Sequence, residues 1–362
     1  MLKIKFIQGI FLLETDVILE IEMIKNSNAH KYIVVLNYNG WKDTIECLES
    51  LLKLNTTNVH IIICDNASTN NSVEKIIAWA DGKVECEFTG DSSLSPLVYP
   101  LMQKPVSIRK IAYKSGQGFQ GNENDSSHLV LIQIEKNLGF SAGNNVGIRY
   151  ALQDDKCSYI WILNNDTLVK VDTLNQSIKK AEENDMTGIV GSVSCDYHRS
   201  SIIQNVCKGL NKNNMRAYPI GRGGNIYDVD KIDISNMYIY DGASFLVTRD
   251  FLSHVGLMNE KQFLYYEEQN YAERARRAGY LVNIAKHSIF YHKESMSTTK
   301  KGSEFMNYHY LRSMMIYLKE FYPNKLIKIF LYQFCRGCYQ IMRMRFPLGK
   351  AILNGIFDGV KI

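Results

Sequence analysis

The alternation of short apolar runs with amphipathic segments between residues 31 and 184 constrains the fold most strongly. Each apolar run is rich in β-branched side chains, as the buried strands of parallel sheets are. The predicted strands are residues 32–36, 59–64, 129–134 and 159–163, and the helices that follow them are 43–54, 72–80, 141–152 and 172–184. This repeat predicts βαβ units with right-handed crossovers, and hence an α/β protein with a mainly parallel central sheet flanked by helices.

Less regular segments set the other predicted boundaries. Residues 1–30 are interpreted as an N-terminal extension that need not be part of the fold, with either Met1 or Met23 as the true start. The main domain is predicted over 31–303. Within it the Ser-, Gly- and Asn-rich stretch 90–127 is interpreted as an insertion, with one strand near 106–113.

The C-terminal third has a different pattern. Strand patterns at 238–247 and 280–285 flank a helical pattern at 267–278, and residues 304–362 are predicted to form a basic, apolar helical region. From residue 301 onward the chain has ten Lys and Arg against three Asp and Glu, whereas the whole chain has 42 against 37. We therefore expect an acidic partner at this end of the protein.

Composition excludes several classes of protein. With 46% hydrophobic and 22% charged residues the chain is an ordinary globular protein, neither disordered nor fibrous. A net charge of +5 is too small to indicate nucleic-acid binding. The eight cysteines lie mostly in apolar runs, which indicates buried thiols in a reducing compartment rather than disulfides.

Polar residues and glycines follow each of the four predicted strands, at 37–40, 65–68, 137–145 and 164–167. Ligands of open parallel sheets bind outside the carboxyl ends of the strands, so these clusters are expected to meet at one edge. Amide and carboxylate groups there suit a nucleobase and ribose, and backbone N–H groups at a helix start suit phosphates. Each cluster alone could be an ordinary turn. Their joint placement favours a nucleotide site, and the chain has no P-loop motif.

A series of ordered motifs resembles the family 2 inverting glycosyltransferases, most closely their rhamnosyltransferase-like branch. The motifs are residues 32–39, 65–68, 137–147, 163–167, 241–245, 263–268, 274–280, 291–293 and 353–359. The resemblance covers about residues 31–359. It implies a GT-A (Rossmann-like) fold with a C-terminal helical extension, and transfer of a sugar from a nucleoside-diphosphate donor with inversion at the anomeric carbon.

The same resemblance implies which residues bind the donor. They are Asn37, Tyr38, Asp65, Asn66, Asn137, Gly139, Asn144 and Asn165. Asp65 matches the residue that pairs with the nucleobase, where its carboxylate accepts the N3 hydrogen of uracil or thymine. Many family members have Arg where Asn144 stands, so one basic phosphate contact is missing.

A divalent cation, Mg²⁺ or Mn²⁺, is implied as well, because the charge on the leaving diphosphate rises as the glycosidic bond breaks. Asp166 matches the last acid of the family's D-x-D motif, and Asn164 and Asn165 occupy the earlier places. His292 matches a histidine that completes metal or diphosphate binding in several relatives. It could equally be a core or surface histidine.

Inversion requires a base that deprotonates the acceptor hydroxyl. The resemblance places this base at Glu268, with the adjacent Glu267 as the alternative, and both stand at a predicted helix start. Solvated acids that cap the helix remain the other reading of this pair. The motif of Asp241, Gly242 and Ala243 is assigned to the acceptor side.

The predicted function is transfer of a sugar, rhamnose favoured, from dTDP-rhamnose or a UDP-sugar to a growing, lipid-linked cell-surface glycan. The C-terminal helices would then meet an anionic membrane, which predicts a peripheral protein on the cytoplasmic face of the cell membrane. A packed helical subdomain is the alternative for these helices. For the whole chain the alternatives are a non-catalytic nucleotide-sugar-binding subunit of a synthase complex and a sugar nucleotidyltransferase.

Overall fold

The computed structural model of the protein describes residues 29–121, 127–294 and 302–362. Its strands are β1 (His30–Asn37), β2 (Val59–Asp65), β3 (Ile108–Lys114), β4 (Gly118–Gln120), β5 (Leu129–Ile134), β6 (Cys157–Asn164), β7 (Thr167–Val169), β8 (Thr187–Asp196), β9 (Ile203–Asn205), β10 (Cys207–Asn211), β11 (Arg216–Ile220), β12 (Ser244–Thr248) and β13 (Leu281–His292). Its α-helices are α1 (Trp41–Leu51), α2 (Ser72–Ala80), α3 (Ser95–Val98), α4 (Gly139–Ala151), α5 (Thr173–Glu182), α6 (Arg249–Val255), α7 (Glu267–Arg277), α8 (Gly302–Phe321), α9 (Pro323–Met342) and α10 (Phe346–Lys361). All but the last two residues of the predicted N-terminal extension lie outside the described residues, and so does the choice of start.

The central sheet confirms the predicted α/β architecture. Among the described residues it has eleven strands, in the order β4-β3-β5-β2-β1-β6-β12-β8-β13-β7, with β9 paired to β8. The strands β3, β5, β2, β1 and β6 run parallel, and β13 runs parallel to β8. β12 lies antiparallel between β6 and β8. All the parallel strands therefore end at the same edge of the sheet.

The predicted strands form because both of their faces are covered. Ile33, Val34 and Val35 of β1 are fully buried, as are Ile62 and Ile63 of β2. Helices pack on the sheet, and a strand shielded on both sides needs a continuous apolar run rather than an alternating one.

The predicted insertion contributes two strands to the central sheet instead of one. β3 pairs in parallel with β5, starting from Ile108 opposite Leu129, and β4 then returns antiparallel to β3. The edge of the sheet is therefore built by the Ser- and Gly-rich stretch, apart from residues 122–126, which lie outside the described residues.

The predicted strand at 238–247 is wrong in its first half. β12 begins only at Ser244. Before it the Asp241 side chain accepts a hydrogen bond from the backbone N–H of Ala243, and the Asp241 carbonyl accepts one from Ser244 N–H. These bonds turn the chain, so residues 241–243 form a loop at the sheet edge.

The C-terminal region forms three helices around a second apolar core. Leu311 and Met315 of α8 and Ile352 and Ile356 of α10 are buried in this core. The last helix, α10, lies within the region 304–362 that the sequence pattern predicts as helical. No helix within the described residues is long and apolar enough to span a membrane.

Candidate active site

A cleft of about 400 Å³ lies at the edge where the parallel strands end. Most of the predicted site residues line it, namely Tyr38, Asn66, Asn137, Gly139, Asn165, Asp166, Asp241, Gly242, Ala243, Glu267, Glu268 and His292. The predicted donor residues Asn37, Asp65 and Asn144 do not line it. The cleft therefore joins side chains from β6, β13, α7 and the loop before β12.

The antiparallel direction of β12 explains why its loop reaches the cleft. Ser244, the first residue of β12, pairs with Leu163 near the end of β6. A strand that runs against its neighbours begins where they end. Asp241 and Gly242, which precede β12, are therefore held at the same edge as the residues that follow β6.

Asp166 and His292 face each other across the cleft floor. β13 pairs antiparallel with β7, which sets His292 opposite Thr167. The Nε2 atom of His292 lies 3.2 Å from Oδ1 of Asp166. Burial alone would raise the pKa of Asp166, but the neighbouring His292 lowers it below its usual value. Burial would likewise lower the pKa of His292, and the Asp166 carboxylate raises it instead.

The pair offers a partial metal site. Nε2 of His292 is buried and lacks a hydrogen bond of good geometry despite its short distance to Asp166, so it has an unused coordination direction. No group of three or more His, Cys, Asp or Glu that could hold a metal occurs within residues 29–121, 127–294 and 302–362. One carboxylate and one imidazole fit a cation that takes its other ligands from a diphosphate and water, as Mg²⁺ commonly does.

The two adjacent glutamates at the start of α7 have different surroundings. Oε1 of Glu268 lies 3.2 Å from the ammonium of Lys208, on β10. Oε2 of Glu267 is buried with no hydrogen-bond partner. Burial, and secondarily the charge on Glu268, raises the pKa of Glu267 well above its ordinary value. Glu268 is thus paired with a cation, whereas the raised pKa of Glu267 favours its neutral form.

Asp241 connects these two parts of the cleft. Its Oδ2 accepts hydrogen bonds from Ser194 at 3.0 Å and Asn205 at 3.1 Å, and its Oδ1 lies 4.0 Å from the Lys208 ammonium. Burial would raise the pKa of Asp241, but the charges on Lys208 and His292 lower it. The charged groups thus alternate in sign along the cleft from Asp166 to Glu268.

The chain enters α7 through two strained residues. Tyr265 and Tyr266 have φ values of 67° and 65°, in the left-handed region that aromatic residues rarely adopt. Tyr266 is held there because it is buried among the C-terminal helices and its hydroxyl donates to the carbonyl of Met215 at 2.8 Å. Strain of this kind is typical of functional sites. Here it fixes the direction in which Glu267 and Glu268 leave the loop.

Asn37 and Asp65 form a buried network behind the cleft wall. Nδ2 of Asn37 donates to Oδ1 of Asp65 at 2.7 Å, and Oδ2 of Asp65 accepts from the backbone N–H of Ser68 at 3.0 Å. Asn165 extends this network, because its Nδ2 donates to the Gly40 carbonyl at 3.1 Å. These side chains brace the ends of β1 and β2, and a nucleobase contact at Asp65 stays a prediction.

The turn from β5 into α4 forms another wall. Asn66 donates to Asn137 Oδ1 and to the Gly139 carbonyl, at 3.1 and 3.0 Å. Gly139 has φ +82°, and a Cβ there would lie 2.6 Å from Cδ2 of Phe263. Only glycine fits this approach. Asn144 is turned inward and donates to the Phe140 carbonyl at 3.0 Å, within its own helix.

Lys208 is the main cleft residue that the sequence analysis missed. It lies on β10, in a segment with no motif, and it reaches the cleft only because β10 crosses the loop before β12 at the bridge from Lys208 to Ile239. Burial would lower the pKa of Lys208, but the charges on Asp241 and Glu268 raise it. An isolated lysine in a polar stretch has no sequence pattern that would predict a position in the cleft.

Comparison with solved structures gives one match that supports the fold class. A structure of GalNAc-T7 with UDP, GalNAc and Mn²⁺ matches with a TM-score of 0.54 and 12% identity, over 85% of this chain and 51% of that one. The mannosyltransferase PcManGT from Pyrobaculum calidifontis, in complex with GDP-Man and Mn²⁺, matches with a TM-score of 0.49 and 11% identity, over 91% and 87%. The fold is the GT-A fold of glycosyltransferases.

Sequence comparison finds similarity to one family. The model of glycosyl transferase family 2 matches residues 32–89 and 117–224 of the chain. The low-salt glycan biosynthesis hexosyltransferase Agl10 of Haloferax volcanii is 22% identical over 200 residues, which are 53% of this chain. The chain covers 61% of the length of that relative. None of these matches distinguishes the rhamnosyltransferase-like branch.

Proposed function

We propose that the protein is an inverting glycosyltransferase that moves a sugar from a nucleoside-diphosphate donor to a hydroxyl group of a growing glycan. The observation that carries this proposal is the shared cleft of Asp166 and Glu268, which are about a hundred residues apart in the sequence. One carboxylate that can hold the cation of a diphosphate and a second that can act as a base, both lining one cleft, suit displacement at an anomeric carbon.

Glu268 is the base in this mechanism. Its carboxylate accepts the proton of the acceptor hydroxyl while the acceptor oxygen bonds to the anomeric carbon. The bond between that carbon and the diphosphate oxygen breaks, and the nucleoside diphosphate leaves from the opposite face with its electron pair. Lys208 donates a hydrogen bond to Glu268 at 3.2 Å and so holds the carboxylate in position beside the acceptor.

Asp166 and His292 hold the diphosphate end of the donor. A divalent cation of the Mg²⁺ or Mn²⁺ type bound there would supply positive charge to the leaving diphosphate. Asn66, Asn137 and the backbone at Gly139 bind the ribose and diphosphate, and Asp65 with Asn37 and Tyr38 receives the nucleobase. Tyr38, Asn66, Asn137 and Gly139 line one cleft, and Asn37 and Asp65 lie behind its wall, which supports their joint assignment.

Rhamnose is the favoured sugar, from dTDP-rhamnose or a UDP-sugar, on the resemblance of the motifs. The name of the Haloferax relative, a hexosyltransferase of glycan biosynthesis, fits transfer of a six-carbon sugar. The GalNAc-T7 structure holds UDP and Mn²⁺, which fits a nucleotide donor and a divalent cation.

The acceptor is proposed to be lipid-linked, because α9 presents a face suited to an anionic membrane. We call the exposed side chains of Ile327, Leu331, Tyr332, Tyr339 and Met342 the α9 face. Helix α9 carries Lys and Arg but no Asp or Glu. An exposed apolar face on a helix whose charged side chains are all cations is typical of helices that lie in the interface of anionic lipids. This supports a peripheral position on the cytoplasmic face of the membrane.

A donor screen tests the proposed function. The full chain is incubated with dTDP-, UDP- and GDP-sugars, Mg²⁺ or Mn²⁺ and a lipid-linked acceptor extract, and nucleoside diphosphate release is measured. We expect release from one donor class, which a chelator and Asp166→Ala abolish and the exposed-site control Asp81→Ala preserves.

The same screen separates the alternatives. Release of pyrophosphate in place of nucleoside diphosphate would identify a sugar nucleotidyltransferase. Donor binding without turnover, across a panel of acceptors, would identify a non-catalytic binding subunit. Equal turnover with and without chelator would contradict the metal assignment.

A further inference from the structure

A second cavity of about 320 Å³ adjoins the cleft. The two cavities share Lys208, Asp241 and His292 as a common wall. The second cavity is otherwise lined by β9, the hairpin of β10 and β11, and Gln269. Gln269 directly follows Glu268 on α7, so this cavity opens beside the base on the side away from Asn66 and Asn137.

Three amide side chains in this wall have unused oxygen atoms. Oε1 of Gln204, Oδ1 of Asn205 and Oε1 of Gln269 are buried and have no hydrogen-bond partner. Buried polar atoms without partners are uncommon in folded proteins, because each costs free energy. Three such acceptors around one cavity indicate a ligand that brings several hydrogen-bond donors.

The orientation of two of these amides is fixed by their other contacts. Nδ2 of Asn205 donates to the Asp241 carboxylate at 3.1 Å, and Nε2 of Gln204 donates to the His292 carbonyl at 2.9 Å. Carboxylate and carbonyl oxygens only accept, so the amide NH₂ groups must face them. The amide oxygens are therefore the atoms left for a ligand.

The other walls suit a ring with one polar edge and one apolar face. Tyr218 of β11 is 44% exposed and presents its ring at the cavity. Arg222 at the mouth is paired with Glu294 at 2.9 Å and donates to the Gln204 carbonyl. A pyranose has hydroxyl donors around its edge and C–H groups on its face, and it matches both kinds of wall.

We infer that this second cavity binds a pyranose unit of the acceptor, with the amide oxygens of Gln204, Asn205 and Gln269 accepting hydrogen bonds from its hydroxyls and Tyr218 covering its face. The inference rests on the proposed function for the direction of transfer. A sugar held there would direct a hydroxyl past Lys208 toward Glu268. The cavity thus selects for a glycan acceptor over water or a simple alcohol.

Ligand-observed NMR on the full chain tests this inference. The probes are methyl α- and β-glycosides of common hexoses and 6-deoxyhexoses, added with UDP and Mg²⁺, and the readout is saturation transfer from protein to ring protons. We expect wild-type protein to bind at least one glycoside. Gln269→Met, which removes one acceptor oxygen at similar volume, should weaken binding about fivefold. Tyr218→Ala, at an exposed position that folding does not require, should do the same, and the exposed control Gln153→Met should change nothing.

Two outcomes would overturn the inference. One is the absence of saturation transfer from every glycoside with wild-type protein, and the other is equal binding by wild type, Gln269→Met and Tyr218→Ala. Calorimetric titration of UDP and dTDP into the same samples distinguishes a failure of this inference from a failure of the proposed function. Failure of nucleotide binding in wild type would reject the donor site, whatever the glycosides do.

Discussion

At the scale of single residues, the site depends on the different surroundings of two neighbouring carboxyl groups. Glu268 is paired with Lys208, and Glu267 is buried without a partner. A base must be ionised before the reaction, and the raised pKa of Glu267 disfavours that form for Glu267. The environment therefore favours Glu268, in agreement with the motif match.

Replacing each glutamate by its amide should separate the two roles. Glu268→Gln removes the proton acceptor and should lower kcat/KM for transfer by about 10³-fold, with donor affinity kept. Glu267→Gln should cost less than about fivefold, because the raised pKa of Glu267 already favours a neutral carboxyl of the same shape. Initial rates of nucleoside diphosphate release and calorimetric donor titration measure both quantities. A larger loss for Glu267→Gln would reverse the assignment.

The sequence predicted the polar residues of this site better than it predicted their neighbours. Asp166, Glu268 and His292 were found because they stand in ordered motifs, and the structure brings all three to one cleft. Lys208 was not found, because its role arises from a β-bridge between distant segments. The motif that contains Asn144 also did not predict that its side chain is buried, because that side chain donates a hydrogen bond within its own helix.

At the scale of elements, the turn from β5 into α4 limits how closely the loop before α7 can approach. Phe140 N–H donates to the Phe263 carbonyl at 2.8 Å across this contact. The φ of Gly139 is +82°, and its missing Cβ leaves the space that Phe263 occupies. The turn therefore links the proposed donor side of the cleft to the loop that leads into α7, the helix that carries Glu268.

A matched pair of alanine substitutions isolates that contact. Gly116 has φ +81°, nearly the same as Gly139, but a Cβ there would meet nothing within 4 Å. Gly116→Ala should lower the free energy of unfolding by about 1–2 kcal/mol, the cost of left-handed backbone alone. Gly139→Ala adds overpacking against Phe263, which costs roughly 1–3 kcal/mol more. Urea unfolding midpoints measure the difference, and equal values would show that Phe263 moves freely.

Sequence patterns predicted the strands with continuous apolar runs. They missed the elements whose conformation depends on contacts with other residues. β1, β2, β5 and β6 were predicted because burial on both faces leaves a clear signal. The loop at 241–243 was predicted as strand, since hydrogen bonds to the Asp241 side chain decide its turn. The segment 187–237, which forms β8 to β11, gave no clear prediction. Strands β9, β10 and β11 are short, and the buried ten-residue β8 contains two glycines and two serines, which interrupt its apolar pattern.

At the scale of the whole molecule, the excess of Lys and Arg at the C-terminal end of the sequence goes with an exposed apolar face on α9. Ile327 and Met342 of the α9 face are 71% and 75% exposed. The opposite side of α9 is packed, and a Cβ at Gly337 would lie 2.7 Å from Leu353 of α10. One side of α9 therefore packs against the rest of the protein, and the other side is exposed.

Charge substitutions on the α9 face should weaken membrane binding without unfolding the protein. Ile327→Glu with Leu331→Glu adds two negative charges to an exposed apolar face, which should reduce binding to vesicles at least tenfold. The vesicles contain phosphatidylglycerol and phosphatidylcholine, and cosedimentation measures the bound fraction. Tyr227→Glu, at an aromatic side chain 87% exposed elsewhere on the surface, is the control. Equal binding to purely zwitterionic vesicles would contradict the electrostatic part of the argument.

The order of strands in the sheet also has a consequence for biosynthesis. β1 to β6 leave the ribosome first and are neighbours in the sheet, whereas Asp241, Glu268 and β13 follow. A nascent chain can therefore assemble the part of the sheet proposed to face the nucleotide before the proposed base has been translated.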